Sequence, residues 1–273
     1  ALQLPPRAEY IRTIMLELER LHSHLLWVGL ACHIVGFDTL FMQSFRIREP
    51  VMWIAEKISG NRKTYALGLI GGVRWDITPE LKTELRQVLD RLEAEWRPVV
   101  AAVSKDRNIE KRTRGIGVAD ARLVKEMGLV GPVARAAGVD IDCRRDHPYA
   151  AYDRVEFDVI TATGGDVWAR ILVRMQEVFE SIKIIRQCVE KMEPGPIQAE
   201  IPGDLPVGAL DPVRLMYKIY FGQPAPAAAG VNVVTSRKLS RYGGRLAGEE
   251  SLATPMGNVR SLRFRHEEDG GTT

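Results

Sequence analysis

At 273 residues, with 45% apolar and 27% charged side chains, the chain can bury a full hydrophobic core and has the make-up of an ordinary globular protein. A net charge of +3 gives no ground for a nucleic-acid partner. No run of about 18 apolar residues is present to span a bilayer; the nearest, Leu25 to Phe37, is interrupted by His33.

The chain opens on ALQLPPRAEYIRT, without Met or a signal-peptide pattern, and this suggests the middle of a longer protein. After Pro5-Pro6, residues 8 to 31 carry Ile11, Ile14, Leu18, Leu21, Leu25 and Val28 at steps of three and four, which predicts an amphipathic helix. Glu17 and His24 share one flank of that stripe, where they could pair in the interior; His22 lies on the other. His22 and His24 are two apart and point about 200° from each other, so they are poorly placed to share a metal. His33 is expected as a core or boundary histidine, and Cys32 as a small buried hydrophobe.

A second helix is expected over 38 to 58, ended by SGN. GNRKTYALGLIGGVRWD, Gly60 to Asp76, then reads as a loop in which Gly71-Gly72 lets the backbone approach another group closely. It is neither a Walker A loop nor a dinucleotide fingerprint. Thr78, Pro79 and Glu80 open a third helix over 78 to 104. A short helix near 118 to 127 stops at Gly128, and VGPVARAAGVDIDCRRDHPY reads as loop. RVEFDVI, Arg154 to Ile160, alternates apolar and acidic side chains and predicts a half-buried strand. Residues 166 to 192 return to helix, and the last sixty show no sustained period. Three scattered cysteines, Cys32, Cys143 and Cys188, without any CxxC, fit reduced, buried thiols rather than a zinc ribbon, a cluster loop or a disulfide framework.

The segments PPRAEYIRTIMLELERLHSHLLWVGLACHIVGFD, FRIREPVM, ISGNRKTYALGLIGGVRWDI, GVADARL, GPVARAAGVDIDCRRDHPYAAYD and GDVWARILVRMQEVFESIKIIRQ, in this order, resemble the large subunit of membrane-bound group 4 nickel–iron hydrogenases of the formate hydrogenlyase type. The same superfamily holds the 49 kDa subunit of complex I, the NADH:quinone oxidoreductase. The resemblance implies a mainly α fold with minor β structure: a long-helix bundle core over residues 1–205, followed by an irregular or non-family tail over 206–273.

It also implies a place in a multi-subunit complex, peripheral on the cytoplasmic side of the inner membrane, with an iron–sulfur small subunit and membrane-arm subunits as partners. The quinone-reducing branch has an Asp where Ile34 stands and a histidine where Thr64 stands, so the hydrogenase branch is the nearer one. The intact hydrogenase holds its nickel–iron centre with two cysteine pairs, and neither pair is in this sequence. This chain is therefore expected to bind no metal or cofactor of its own, to carry no catalytic residue, and to be a fragment that is inactive alone. Arg62, Thr64, Arg74 and Asp76 are implied to lie behind the cofactor cavity, with RRDHPY a weaker candidate. Two other readings stay open: a quinone-reducing subunit, and a non-catalytic scaffold of such a complex.

Overall fold

The structure, a computed structural model, describes residues 3–63 and 65–199, and the backbone of 231–234, 239–254 and 257–268. It divides into two units, Ala1–Ala199 and Glu200–Thr273. In the first, four long helices carry the core: α1 (Pro6–Ile34), α2 (Asp38–Ser59), α3 (Pro79–Lys105) and α8 (Val167–Lys191). Helix α1 packs on α2 and α8, and α3 packs on the same two, so the four close into a ring.

The apolar stripes expected from spacing are the faces that are buried. Ile11, Ile14, Leu18, Leu21, Leu25 and Val28 of α1 are fully shielded, as are Leu85 and Trp96 of α3 and Val178 and Ile185 of α8. Burying one such side chain is worth roughly 1.5–3 kcal/mol. Polar atoms in this interior find partners across the helix seams: Trp96 Nε1 donates to the Met175 carbonyl at 3.1 Å, and the Ser44 hydroxyl to the Leu25 carbonyl at 2.8 Å.

Helix ends follow local chemistry. Thr78 caps α3 by accepting from Leu81 N, with Pro79 in the first turn, and Asp166 caps α8 by accepting from Ala169 N at 2.8 Å. Gly60 ends α2 at φ 81°, a conformation in which a Cβ would be strained.

Between α2 and α3, a two-stranded antiparallel hairpin of β1 (Gly68–Leu69) and β2 (Gly72–Val73) fills the Gly71-Gly72 segment. The close approach expected there is made by Gly72, where a Cβ would sit 2.1 Å from the Ile197 carbonyl oxygen. Val73 N donates to Ile197 O at 3.0 Å, and Ala199 N to Gly71 O at 2.7 Å.

Between α3 and α8 the chain forms α4 (Arg107–Thr113), α5 (Ala121–Glu126), α6 (Pro132–Ala136), α7 (Cys143–Asp146) and a 3-10 turn at Tyr152–Arg154. Helix α5 is the short helix expected before Gly128. Helix α4 carried no clear signal, and α6 and α7 interrupt what reads as loop. The strand predicted at Arg154 to Ile160 is not formed. Among the described residues this segment pairs with no strand and lies along α8 instead, where Gln187 Oε1 accepts from Glu156 N and Glu180 Oε2 accepts from Asp158 N, each at 2.9 Å. Alternation there reports a half-buried extended segment, not a sheet.

In the second unit, β3 (Val231–Val234), β4 (Leu239–Thr254) and β5 (Gly257–Glu268) pair antiparallel in the order β3-β4-β5, with an irregularity between Leu246 and Gly248. The tail expected to be irregular therefore has paired backbone in these three stretches. Ladder bonds run through main-chain groups and need no apolar alternation.

Candidate functional site

The most concentrated chemistry in the first unit is a layer of charged and polar side chains between α1, α8 and the α6–α7 connection, buried at its centre and half-buried at Arg20 and Arg174. Glu17 and His24 reach it from α1. Arg174, Glu177 and Ser181, at steps of three and four, reach it from the facing side of α8, and Arg135, Asp142, Arg144 and Tyr152 come from the connection.

Glu17 is fully buried and saturated. It accepts from Tyr152 Oη at 2.5 Å, Ser181 Oγ at 2.6 Å, Arg144 Nη1 at 3.2 Å and Arg20 Nε at 3.2 Å. Burial alone would raise its carboxyl; Arg20, Arg144 and the two hydroxyls outweigh that and hold it below the usual range. Asp142 receives Arg144 twice, Nε at 3.0 Å and Nη2 at 2.7 Å, and against the same burial is brought down to about 2. Arg144, 2% exposed, is thus clamped between two carboxylates, and its cation is strengthened although burial works against it.

A second group adjoins it. Glu177 accepts from Arg135 Nε at 2.7 Å and from His24 Nε2 at 2.5 Å. Burial opposes its charge, but His24 and Arg135 bring it to about 2. Burial lowers the His24 pKa, with Arg174 and Arg20 acting the same way, despite the upward pull of Glu177. The ring is then neutral, with Nε2–H donating to Glu177 and Nδ1 accepting from Arg174 Nη1 at 3.2 Å. Arg135 also approaches Asp142 at 3.5 Å and joins the two groups.

The pairing of Glu17 with His24 expected from their shared flank does not form, because α8 and the connection supply each with a closer partner. His22, on the other flank, meets Arg48 of α2; burial, then Arg48 and Lys63, lowers its pKa to about 4. His33 is a surface residue, Nδ1 lying 2.6 Å from Asp38 Oδ1.

The residues singled out from the resemblance lie elsewhere. Arg62 is on the surface after α2, 2.5 Å from Glu49 and 3.4 Å from Glu56. Arg74 is exposed after β2, and Thr64 lies outside the described residues. Asp76 accepts from Arg7 Nε and from Ile77 N, each at 2.8 Å, while Arg7 continues to the Glu193 carbonyl at 2.7 Å; together they tie the start of α1 to the end of the hairpin and to the chain beyond α8. No contact joins Arg62, Arg74 and Asp76 among the described residues. In RRDHPY, Arg144 fastens the connection onto the bundle, whereas Arg145 stays at the surface with Asp140 and Asp146.

Reading the sequence missed Arg20, Arg135, Asp142, Arg174, Glu177 and Ser181. The available signal was the run of polar residues at 174, 177 and 181 beside the apolar seam of α8.

Among the described residues, no three His, Cys, Asp or Glu side chains are grouped to hold a metal ion. Cys32, Cys143 and Cys188 stand on three different helices, α1, α7 and α8, and burial raises the Cys32 thiol to about 11 and the Cys188 thiol to about 12. Cys143 is exposed, contrary to the burial expected of all three. The described residues therefore do not fit a nickel–iron centre. Nor is any described helix long and apolar enough to cross a membrane.

Residues 35–216 match the family of the respiratory-chain NADH dehydrogenase 49 kDa subunit. Formate hydrogenlyase subunit 5 of Escherichia coli K12 is 42% identical over 199 residues, which are 73% of this chain and 35% of that protein. A subunit of the NADH-quinone oxidoreductase of Sinorhizobium medicae WSM419 is 41% identical over 201 residues, 74% of this chain and 50% of the relative. Among solved structures, a chain of the membrane-bound sulfane sulfur reductase, an archaeal respiratory membrane complex, superposes with a TM-score of 0.71 at 26% identity, covering 97% of this chain and 66% of that one. The chain thus spans about a third to a half of the length of these two curated relatives. It belongs to the family of the respiratory-chain NADH dehydrogenase 49 kDa subunit, within the superfamily shared with formate hydrogenlyase and hydrogenase-4 large subunits.

Proposed function

We propose that this chain is the helical scaffold of a hydrogenase-type large subunit, in a complex whose whole protein interconverts protons, electrons and dihydrogen. The observation that carries the hydrogenase branch is Ile34. At the end of α1, where quinone-reducing relatives are expected to carry an Asp, stands an aliphatic side chain that is 83% exposed and has no proton to exchange. The scaffold role draws on the ion layer: Glu17, His24, Arg135, Arg144, Tyr152 and Glu177 bond to one another across α1, α8 and the α6–α7 connection and so fasten these elements together. The nickel–iron centre, and the cysteines for it, would belong to the whole protein; an iron–sulfur small subunit would deliver electrons and membrane-arm subunits would anchor the complex on the cytoplasmic face. Arg62, Thr64, Arg74 and Asp76 keep the role of lining the back of that cavity as part of this proposal.

A quinone-reducing reading is supported by the family match over residues 35–216. The test is to purify the complex containing the whole polypeptide from its host and assay it with reduced methyl viologen and with decylubiquinone. Hydrogen evolution with stoichiometric nickel supports the hydrogenase branch. Quinone reduction by a nickel-free complex overturns it.

A further inference from the structure

The ion layer has one cation too many. Arg20 lies 3.2 Å from Glu17, Arg144 lies 2.7 Å from Asp142, and Arg135 lies 2.7 Å from Glu177. Arg174 has no carboxylate within ion-pair distance among the described residues. One Nη bonds His24, its guanidinium lies over the Trp27 ring at 4.6 Å, and its Nε is buried with no acceptor. Arg170, one turn earlier on α8, adds another cation; among the described residues it donates only to carbonyls, those of Asp166 at 3.1 Å and of Gly117. An unpaired buried donor on a charged group costs more than about 1–3 kcal/mol, so such atoms usually have a use.

We infer that Arg174, flanked by Arg20 and Arg170, is the receptor for an oxyanion of the carboxylate class. The guanidinium fork suits the planar geometry of that group, and stacking on Trp27 fixes its plane. Burial and the neighbouring Arg135, Arg170 and Arg20 weaken the Arg174 cation against the pull of Glu177, and an arriving anion would relieve that. Arg20, Trp27 and Ile34 are spaced seven apart on α1 and share a face, so an apolar stripe runs from this point to Ile34, 83% exposed. The carboxylate could be a free small acid or a Glu or Asp side chain presented with apolar neighbours. Either redox branch of the superfamily leaves this geometry as it is.

The test reads arginine Nε–H resonances of the full chain by 1H–15N correlation. Arg174 is assigned by the loss of its signal in R174K, and acetate is titrated against chloride at constant ionic strength, in parallel with the peptide Ac-Leu-Glu-Leu-amide. The expected result is a saturable downfield shift of the Arg174 Nε–H, with Arg122 and Arg145 unmoved. Saturation by peptide at tenfold lower concentration than acetate identifies a polypeptide side chain; equal or better saturation by acetate identifies a small free acid. No saturable shift with either probe, or the same shift at the surface arginines, overturns the assignment. The binding readout is made on the native chain, so it stands even if R174K folds poorly; R174Q then serves for assignment.

Discussion

Glu17 of α1 accepts a hydrogen bond from the Tyr152 hydroxyl at 2.5 Å across 135 residues of chain. Arg144, Arg20 and Ser181 complete its shell, and the carboxylate is fully buried. That contact closes the α6–α7 connection over the seam between α1 and α8, making the loop a structural part of the bundle.

Replacing Tyr152 with Phe keeps the ring and removes the donor. A hydrogen bond to a charged group contributes about 1.5–3 kcal/mol, so Y152F is expected to unfold about 2 kcal/mol more easily in urea with an unaltered denaturant slope. An unchanged midpoint would mean that Arg144, Arg20 and Ser181 suffice for Glu17.

Arg144→Met takes a cation from two buried carboxylates at once, leaving Glu17 to Arg20, Tyr152 and Ser181 and Asp142 to the more distant Arg135. Breaking a buried ion pair from one side costs about 3–5 kcal/mol. R144M should fall in this range by urea denaturation, whereas R145Q, at the exposed neighbouring pair, should leave the midpoint where it is. Equal effects of the two substitutions would contradict the clamp.

Stability should fall with acid in two stages. His22 titrates near 4 in the folded chain against 6.5 ordinarily, and His24 is displaced in the same direction, so below pH 6.5 the unfolded chain takes up protons first and stability drops toward pH 4. Glu177 and Asp142 titrate near 2 against 4.5 and 3.8, so their contribution is complete above about pH 4.5 and is lost as pH falls toward 2. Urea midpoints across pH 7 to 2 should show both losses, and H22Q should reduce the upper one. A flat profile from pH 6.5 to 4 in the native chain would disprove the histidine part.

Gly72→Ala places a methyl group 2.1 Å from the Ile197 oxygen, which is main chain and cannot swing aside. Segment 197–199 should detach from the hairpin. Amide hydrogen exchange should accelerate at Val73 and Ala199 while Leu21 and Ile182, in the bundle, keep their protection; unchanged exchange at Ala199 would refute this docking.

Thiol reactivity reports on burial from another direction. Iodoacetamide at pH 7.5 should label Cys143 in the folded chain, and Cys32 and Cys188 only after denaturation, since both are buried with raised pKa values. Prompt labelling of Cys188 would show that α8 opens.

The sequence by itself determined the four long helices, the buried faces of α1, α3 and α8, the Thr78 and Gly60 boundaries, the close approach at Gly72 and the superfamily. The helices are read from spacings of three and four and from cap residues, information that sits within one or two turns of chain; the superfamily is read from the resemblance of whole segments in their order. Only the tertiary structure decided that Arg154 to Ile160 runs beside α8 instead of entering a sheet, that His24 turns to Glu177 and not to Glu17, and that Arg174 is left without a carboxylate among the described residues. A charged side chain carries no local mark of its partner: Glu17 is joined to residues 127, 135 and 164 positions away, and which of them it meets depends on how whole helices pack.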